Sequence, residues 1–341
     1  MLHSSTSSSK GFPWAGIATA LLVMFLDLTC FARPWLWVEL ARCLPTKHLL
    51  AAGIASDHAE LAALGAAPPG VARVALLGTS RLQATLIGTP LAADLGADGS
   101  LAVASLAHAG LEPFAIRALA DRLAELRVDV AVLHLSEFDS HRAPMARPAT
   151  SFGSVGAVAD LTAAIGPAAA WRSRVWLERM ALASLFAAYE HREVVLGFGL
   201  ERLRAFGAVL GPRAIASAEV GVAGFAAAEE RWPGLDVRRR KQVAAELPRH
   251  SRRELRDQQD RLRSIVRGPH VDVQQRLLAA AVERLREAGT RVLLVEAPLS
   301  PAAAEFYDVS TRRDFELFAR DLASRPGVRF VPLEERFYEE D

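Results

Sequence analysis

The chain has very little cysteine and almost no net charge, and each deficit excludes a class of protein. Only Cys30 and Cys43 occur among 341 residues, too few for a disulfide-stapled scaffold or a four-cysteine zinc site. The formal net charge of +1 argues against a dedicated nucleic-acid binder. A hydrophobic fraction of 51% excludes a disordered chain, because such a chain cannot bury enough apolar surface to offset its ordering entropy. The length is compatible with one large α/β domain plus attachments.

One long hydrophobic run lies near the N-terminus. It follows a polar, Ser-rich tail (residues 1–10) and extends from Gly11 to Ala32 with a single charge, Asp27. As a helix it would span about 30 Å, which is enough to cross the hydrocarbon core of a bilayer. Tryptophans at both ends suit the two membrane interfaces. We therefore predict a transmembrane anchor over residues 11–37, with a cleaved signal peptide as the alternative.

The rest of the chain alternates short apolar runs with amphipathic segments. Nearly continuous apolar runs are typical of strands that are buried on both faces of a parallel sheet. The sequence therefore predicts a three-layer α/β fold with helices on both faces of the sheet. The predicted strands are residues 71–77, 101–105, 128–135, 291–296 and 328–331, and the predicted helices are residues 113–126, 274–288 and 315–323.

Composition divides the chain after the anchor into four parts. Residues 38–70 are predicted to be a helical linker, and residues 71–149 the first part of the α/β core. Residues 150–268 form a helical, basic insertion, and residues 269–341 form the second part of the core, incomplete at the C-terminus. Within the insertion, residues 238–267 carry a net charge of +7. This stretch would bind anionic lipid or an acidic polymer, or else form a solvated helix with internal ion pairs.

A hydroxyl-bearing turn follows the first predicted strand. In an open parallel sheet, reacting groups lie just beyond the carboxyl ends of the strands, and here these positions hold Gly78, Thr79, Ser80 and Arg81. A serine that opens a helix is well placed as a nucleophile, because backbone N–H groups there stabilise an oxyanion. The alternative is that Thr79 or Ser80 only caps the helix. Arg81 would attract an anionic substrate or pair with Asp139, or else be an ordinary surface charge.

These residues resemble the conserved blocks of the SGNH (GDSL-type) hydrolases. Gly78 to Arg81 resembles block one, and Leu106 to Pro113, which contains Gly110, resembles block two. Residues 135–139 stand at the place of block three, with Phe138 where the family has Asn, and residues 292–298 resemble the strand and Pro turn before the last segment. The resemblance covers residues 71–141 and 274–341. It is closest to a branch with an N-terminal membrane anchor and an extracytoplasmic domain.

The resemblance implies an SGNH/flavodoxin-like fold and a set of site residues. Ser80 would be the nucleophile, and the N–H groups of Ser80 and Gly110 would hold the oxyanion. The general base would be a histidine beyond Asp341, or else His108 or His141, although a solvated or structural role is the commoner one for histidines in such positions. Gly78, Thr79, Arg81 and Asp139 would contact substrate. No cofactor is expected, and no metal, because no His, Asp or Glu spacing resembles a metal site.

Members of that branch often work with membrane-bound O-acyltransferases on cell-envelope polymers. The resemblance therefore implies a single-pass protein of the cell membrane with an extracytoplasmic body. It would be a serine esterase or O-acyltransferase acting on acyl esters of an envelope polymer. Its partners would be the membrane, such an acyltransferase and an anionic polymer, but not nucleic acid. The alternative is a catalytically inactive accessory or binding subunit, and a third reading is an unrelated α/β sheet in which Ser80 caps a helix.

Overall fold

The fold is described from a computed structural model. The model describes most of the chain outside residues 197–270. The described residues are 14–43, 49–79, 82, 99–107, 111–136, 139, 151–152, 154–172, 174–192, 194–196, 271–297 and 309–332. The basic stretch at residues 238–267 lies outside these ranges.

Five strands form one parallel sheet. They are β1 (Ala72–Gly78), β2 (Leu101–Ala107), β3 (Val130–Leu135), β4 (Arg291–Glu296) and β5 (Val328–Val331). All five predicted strands are confirmed, and their spatial order is β2-β1-β3-β4-β5. This is the order of flavodoxin-like doubly wound sheets. The chain passes from β1 to β2 on one side of β1 and then to β3 on its other side, so the order in which strands are added reverses between β1 and β3. In open α/β sheets this reversal point is where a ligand-binding crevice is expected, beyond the carboxyl ends of the two strands.

Helices flank the sheet, as predicted, while a helical layer on each of its two faces stays a prediction. The helices α4 (Pro113–Glu125), α9 (Val271–Glu287) and α10 (Val309–Ala323) connect strands that advance in one direction across the sheet. Right-handed crossovers therefore place all three helices on the same face, where α4 packs along α9.

A further helix, α3 (Leu49–Gly65), covers the edge of the sheet at β2. The Ser105 N–H of β2 donates to Oε2 of Glu60 in α3 over 3.3 Å. This helix thus protects backbone groups that an open sheet edge would leave unpaired.

The N-terminal apolar segment is bent rather than straight. An α-helix, α1 (Trp14–Leu26), continues into a π-helical segment at Asp27–Phe31 and is followed by α2 (Pro34–Arg42). The extended backbone of Arg33 separates the two parts, because the residue before a proline is disfavoured in helical conformation. Among the described residues no single helix is long and apolar enough to cross a membrane, whereas Ile17–Phe31 and Trp35–Ala41, bent by 84°, satisfy length and composition as a pair.

The described part of the insertion is helical, as predicted. It contains α5 (Val155–Ile165), α6 (Pro167–Arg172), α7 (Arg174–Leu185) and α8 (Ala187–Glu190). The Ser154 side chain caps α5 by accepting the N–H of Ala157 over 2.9 Å.

The core is centred on α4, which is buried on nearly every side. Its apolar side chains, including Phe114 and Leu119, are completely inaccessible to solvent. The buried cation of α4 is Arg117. Its guanidinium donates to Asp160 of α5 over 2.5 Å and pairs with Asp121, one turn further along α4. A buried cation requires such partners, because desolvation is costly without them.

Asp121 joins α4 to two other helices. Its carboxylate accepts hydrogen bonds from Ser154 and from Arg284 of α9, the latter at 2.8 Å. Burial alone would raise the pKa of Asp121, but these hydrogen bonds and the charge of Arg117 outweigh burial and hold the pKa below its usual value. The helical layer is therefore held by a charge network as well as by apolar packing.

Truncating a buried leucine of α4 should destabilise the domain far more than truncating an exposed one. We expect Leu119→Ala to lower the free energy of unfolding by about 2–5 kcal/mol, because it leaves a cavity in the packed core. The matched control is Leu317→Ala, at a helical leucine that is 56% exposed, with an expected change within about 0.5 kcal/mol. Urea denaturation followed by circular dichroism measures both, and equal changes would contradict the central position of α4.

Candidate functional site

The crevice between β1 and β3 is bordered by the end of β1. Gly78 pairs with Ala107 of β2 and His134 of β3, and Thr79 follows it with only 5% of its surface exposed. A Cβ atom at position 78 would lie 2.7 Å from Cβ of Leu82 and 3.2 Å from Cβ of His134. Only glycine therefore allows the chain to turn back so that Leu82 packs on the strand end.

The end of β3 carries a compact buried turn. The N–H and Oγ–H of Ser136 both donate to Oδ2 of Asp139 over 2.9 Å, and the Asp139 N–H donates back to the Ser136 carbonyl over 3.0 Å. Ser136 is completely buried and Asp139 is 2% exposed. The Asp139 carboxylate thus shapes the backbone at the mouth of the crevice.

Two further buried carboxyl groups lie at the same edge of the sheet. Glu112 follows β2 and accepts a hydrogen bond from Gln274 of α9 over 2.8 Å. Glu296 ends β4 and accepts a hydrogen bond from Arg312 of α10 over 3.2 Å. Each acid is held by a side chain from another element, so both carboxyl groups are fixed in place at this edge of the sheet.

The predicted site residues divide into two groups. Gly78, Thr79 and Asp139 lie together at the carboxyl edge of β1 and β3, as their positions after the strands predict. Five others lie outside the described residues, so their roles stay predictions; these are Ser80, Arg81, His108, Gly110 and His141. Phe138 also lies outside them.

A second polar cluster lies away from this edge and was not anticipated from the sequence. It consists of His58 in α3, Glu190 at the end of α8, and His191. One potential ligand atom from each residue lies within 4.8 Å of the other two, and the imidazole centroids are 4.4 Å apart. The expectation of no metal site rested on short spacings along the chain. Such spacings cannot reveal this cluster, because His58 and Glu190 are 132 positions apart.

Burial keeps both histidines of this cluster neutral. Burial, together with the charge of Arg122, lowers the pKa of His58 from 6.5 to about 4. Burial and the neighbouring His58 lower the pKa of His191 to about 2. Burial also raises the pKa of Glu190, although the Arg122 guanidinium, which donates to Oε1 of Glu190 over 2.6 Å, opposes this change.

The cluster adjoins the N-terminal helical segment through Asp27. The Asp27 carboxylate is 5% exposed, and its Oδ2 accepts the N–H of Ala187, the first residue of α8, over 2.9 Å. A cavity of about 290 Å³ beside it is lined by Asp27, His58, Arg122, Glu190 and His191, among others. The lone charge of the apolar segment therefore contacts the body of the same chain.

Removing the Asp139 carboxylate should loosen the turn at the crevice. We expect Asp139→Ala to lower the free energy of unfolding by about 1–3 kcal/mol, because the buried N–H and hydroxyl of Ser136 lose their acceptor. Asp314→Ala, at an exposed helical position, is the matched control, with an expected change within about 0.5 kcal/mol. Chemical denaturation of both variants makes the comparison, and a loss of the same size in the control would contradict this role of Asp139.

The neutral histidines predict a loss of stability in mild acid. Their pKa values are lower in the folded than in the unfolded chain, so below about pH 6.5 the unfolded chain binds more protons and is favoured. His191→Phe keeps an aromatic ring against Trp37 and removes one titrating group. Between pH 7 and pH 5 we expect the wild type to lose about 2 kcal/mol more than this variant in chelator-containing buffer.

The pKa of Glu190 is raised on folding, so its protonation makes the folded chain more stable as the pH falls. Because Glu190 is present in both proteins, its contribution cancels in this comparison. The measurement is urea unfolding at each pH. Equal losses in the two proteins would show that His191 is protonated in the folded chain at pH 5.

Comparison with known proteins assigns no family to the chain. No protein-family model matches the sequence, and no curated protein is significantly similar to it. Function is therefore inferred from the geometry of these two sites and from the sequence motifs at the carboxyl edge.

Proposed function

We propose that this protein is a membrane-anchored, SGNH-like serine esterase or O-acyltransferase that acts on acyl esters of a cell-envelope polymer. The observation that carries the proposal is the position of Gly78 and Thr79 at the reversal point between β1 and β3. Ser80 is the next residue in the chain. Ligands of open α/β sheets bind in the crevice at such a point, so a nucleophile that follows Thr79 is close to bound substrate.

In the proposed reaction, the Ser80 hydroxyl attacks the ester carbonyl of the acyl donor. A histidine, for which His108 and His141 are the candidates, accepts the hydroxyl proton and passes it to the departing alkoxide. The N–H groups of Ser80 and Gly110 stabilise the oxyanion. The resulting acyl-serine is then attacked by water in an esterase, or by a polymer hydroxyl in a transferase, with the same histidine as base.

Membrane attachment is supported by the exposed apolar surface of the N-terminal segment. Several large apolar side chains there are 50–72% exposed, namely Leu21, Leu22, Val23, Met24, Phe25 and Leu28. A contiguous patch of this kind is favourable in lipid and costly in water. The proposed extracytoplasmic body and the acidic polymer partner follow from the SGNH-like motifs and from the basic stretch at residues 238–267.

The alternative function is a catalytically inactive accessory subunit with the same fold. Two features favour it. Phe138 stands where the SGNH hydrolases have an Asn that donates to the oxyanion, and the Asp139 carboxylate binds Ser136 of its own turn. A protein that holds a polymer or an acyltransferase needs the crevice but not an activated serine.

Labelling with a fluorophosphonate probe distinguishes the two functions, because the probe reacts with activated serines without needing the natural substrate. In detergent-solubilised, full-length protein we expect labelling that is lost in Ser80→Ala and kept in Ser324→Ala. Ser324 is an exposed serine after α10, remote from the crevice.

His108→Ala and His141→Ala then identify the base. We expect the variant without the base to react at least about 100-fold more slowly. Labelling that persists in Ser80→Ala contradicts the assignment of the nucleophile. Absence of labelling in a folded wild-type sample, shown by its circular dichroism spectrum, favours the accessory subunit.

A further inference from the structure

We propose that His58, Glu190 and His191 form a binding site for one divalent transition-metal ion, with Zn²⁺ as the preferred occupant. Two imidazole nitrogens and one carboxylate oxygen are a ligand set that zinc uses in proteins, with a fourth position left for water or another ligand. The site lies away from the carboxyl edge of the sheet, so it is independent of the proposed esterase chemistry.

The two imidazoles each direct a nitrogen without a hydrogen-bond partner into the protein interior. Nε2 of His58 and Nδ1 of His191 are completely shielded from solvent and make no hydrogen bond. Such buried polar atoms cost free energy unless something binds them. A metal ion would accept the lone pair of each nitrogen and satisfy both.

The protonation state of His58 suits metal binding. Its ring also makes a hydrogen bond to the backbone of Ser151, and since Nε2 has no partner, this bond is made by Nδ1–H. Donation of the other ring N–H to a backbone carbonyl is the usual way in which a ligating histidine is oriented. It leaves the lone pair on Nε2, the buried nitrogen that makes no hydrogen bond.

The distances are short enough for one ion to join the three side chains. Ligand atoms about 2.0–2.1 Å from a tetrahedral zinc ion lie about 3.4 Å from one another. The three ligand atoms here are within 4.8 Å of each other, so modest side-chain rotation brings them to bonding distance. The adjoining cavity of about 290 Å³ gives the ion and a fourth ligand room to enter.

Two carboxylates and one guanidinium surround this position. Glu190 supplies one carboxylate, and Asp27 lines the same cavity. Arg122 occupies Oε1 of Glu190 in the metal-free structure, but its side chain is 41% exposed and also lies 3.8 Å from Glu125. Arg122 can therefore turn into solvent when an ion binds Glu190, and its exposed contact with Glu125 adds little.

The position of the site indicates a structural role. His58 belongs to α3, Glu190 ends α8, and Asp27 of the N-terminal segment contacts the first residue of α8. Trp37 of α2 stacks on the His191 ring at a centroid distance of 4.5 Å. A bound ion would fasten the N-terminal helices to the body of the protein.

The test uses full-length protein in detergent, stripped of metal with a chelator. Every variant also carries Cys30→Ser and Cys43→Ser, because both thiols are exposed and thiols are zinc ligands. Zinc affinity is measured by competition with a chromogenic chelator. We expect one site whose affinity falls at least about 100-fold in Glu190→Gln. The matched control is Glu125→Gln, which removes the other carboxylate partner of Arg122 and should leave the affinity within about 3-fold.

Two wild-type measurements keep the proposal testable if Glu190→Gln does not fold. Zinc X-ray absorption should show two imidazole ligands, and zinc but not Mg²⁺ should raise the melting temperature. The proposal is overturned if the wild type binds no zinc in competition with the chelator. It is also overturned by a zinc centre without imidazole ligands, or by equal affinities in Glu190→Gln and Glu125→Gln.

Discussion

The structure depends on the burial of α4, because this helix is buried along almost its whole length and packs against both α9 and α5. Its apolar side chains fill the core between the sheet and α9, and its buried Arg117 must find carboxylates in a region that excludes water. Asp121 and Asp160 supply them, and in doing so they bring α5 and α9 into register with α4. The helices of this layer are thus positioned by ion pairs as well as by apolar packing.

The two ends of α4 face two different sites. Glu112 occupies the N-cap position, and its carboxylate accepts a hydrogen bond from Gln274 of α9 at the carboxyl edge of the sheet. Arg122 in its last turn reaches Glu190 of the histidine cluster. A helix of 13 residues is about 20 Å long, so the ester chemistry that we propose and the metal site that we infer are separate in space and can be tested separately.

The apolar N-terminal segment is attached to the body as well as being suited to a membrane. A carboxylate in contact with lipid is costly, so Asp27 requires a polar partner outside the lipid. In the fold it accepts the first N–H of α8, where the partial positive charge of a helix N-terminus favours an anion. The π-helical segment that begins at Asp27 is therefore part of the body, and the exposed apolar surface is concentrated on the preceding helix.

The sequence alone determined the elements of this protein. Strands such as β4 can be predicted because residues 291–296 form a short apolar run, and the end of α9 is marked by Gly289, two residues after its last residue, whose φ of 87° suits glycine. The same local logic put Gly78, Thr79 and Asp139 at strand ends, which parallel pairing then gathers at one edge.

The tertiary structure determined the features that no local sequence pattern predicts. The order of the strands, and with it the reversal between β1 and β3, depends on which apolar faces pack together across the whole chain. Likewise, His58 lies beside residues 190 and 191 only because tertiary packing brings α3 and α8 together. Spacing along the chain reports contacts within one helix or turn, whereas a cluster formed between distant helices arises from packing, and its buried nitrogens become visible only in the folded chain.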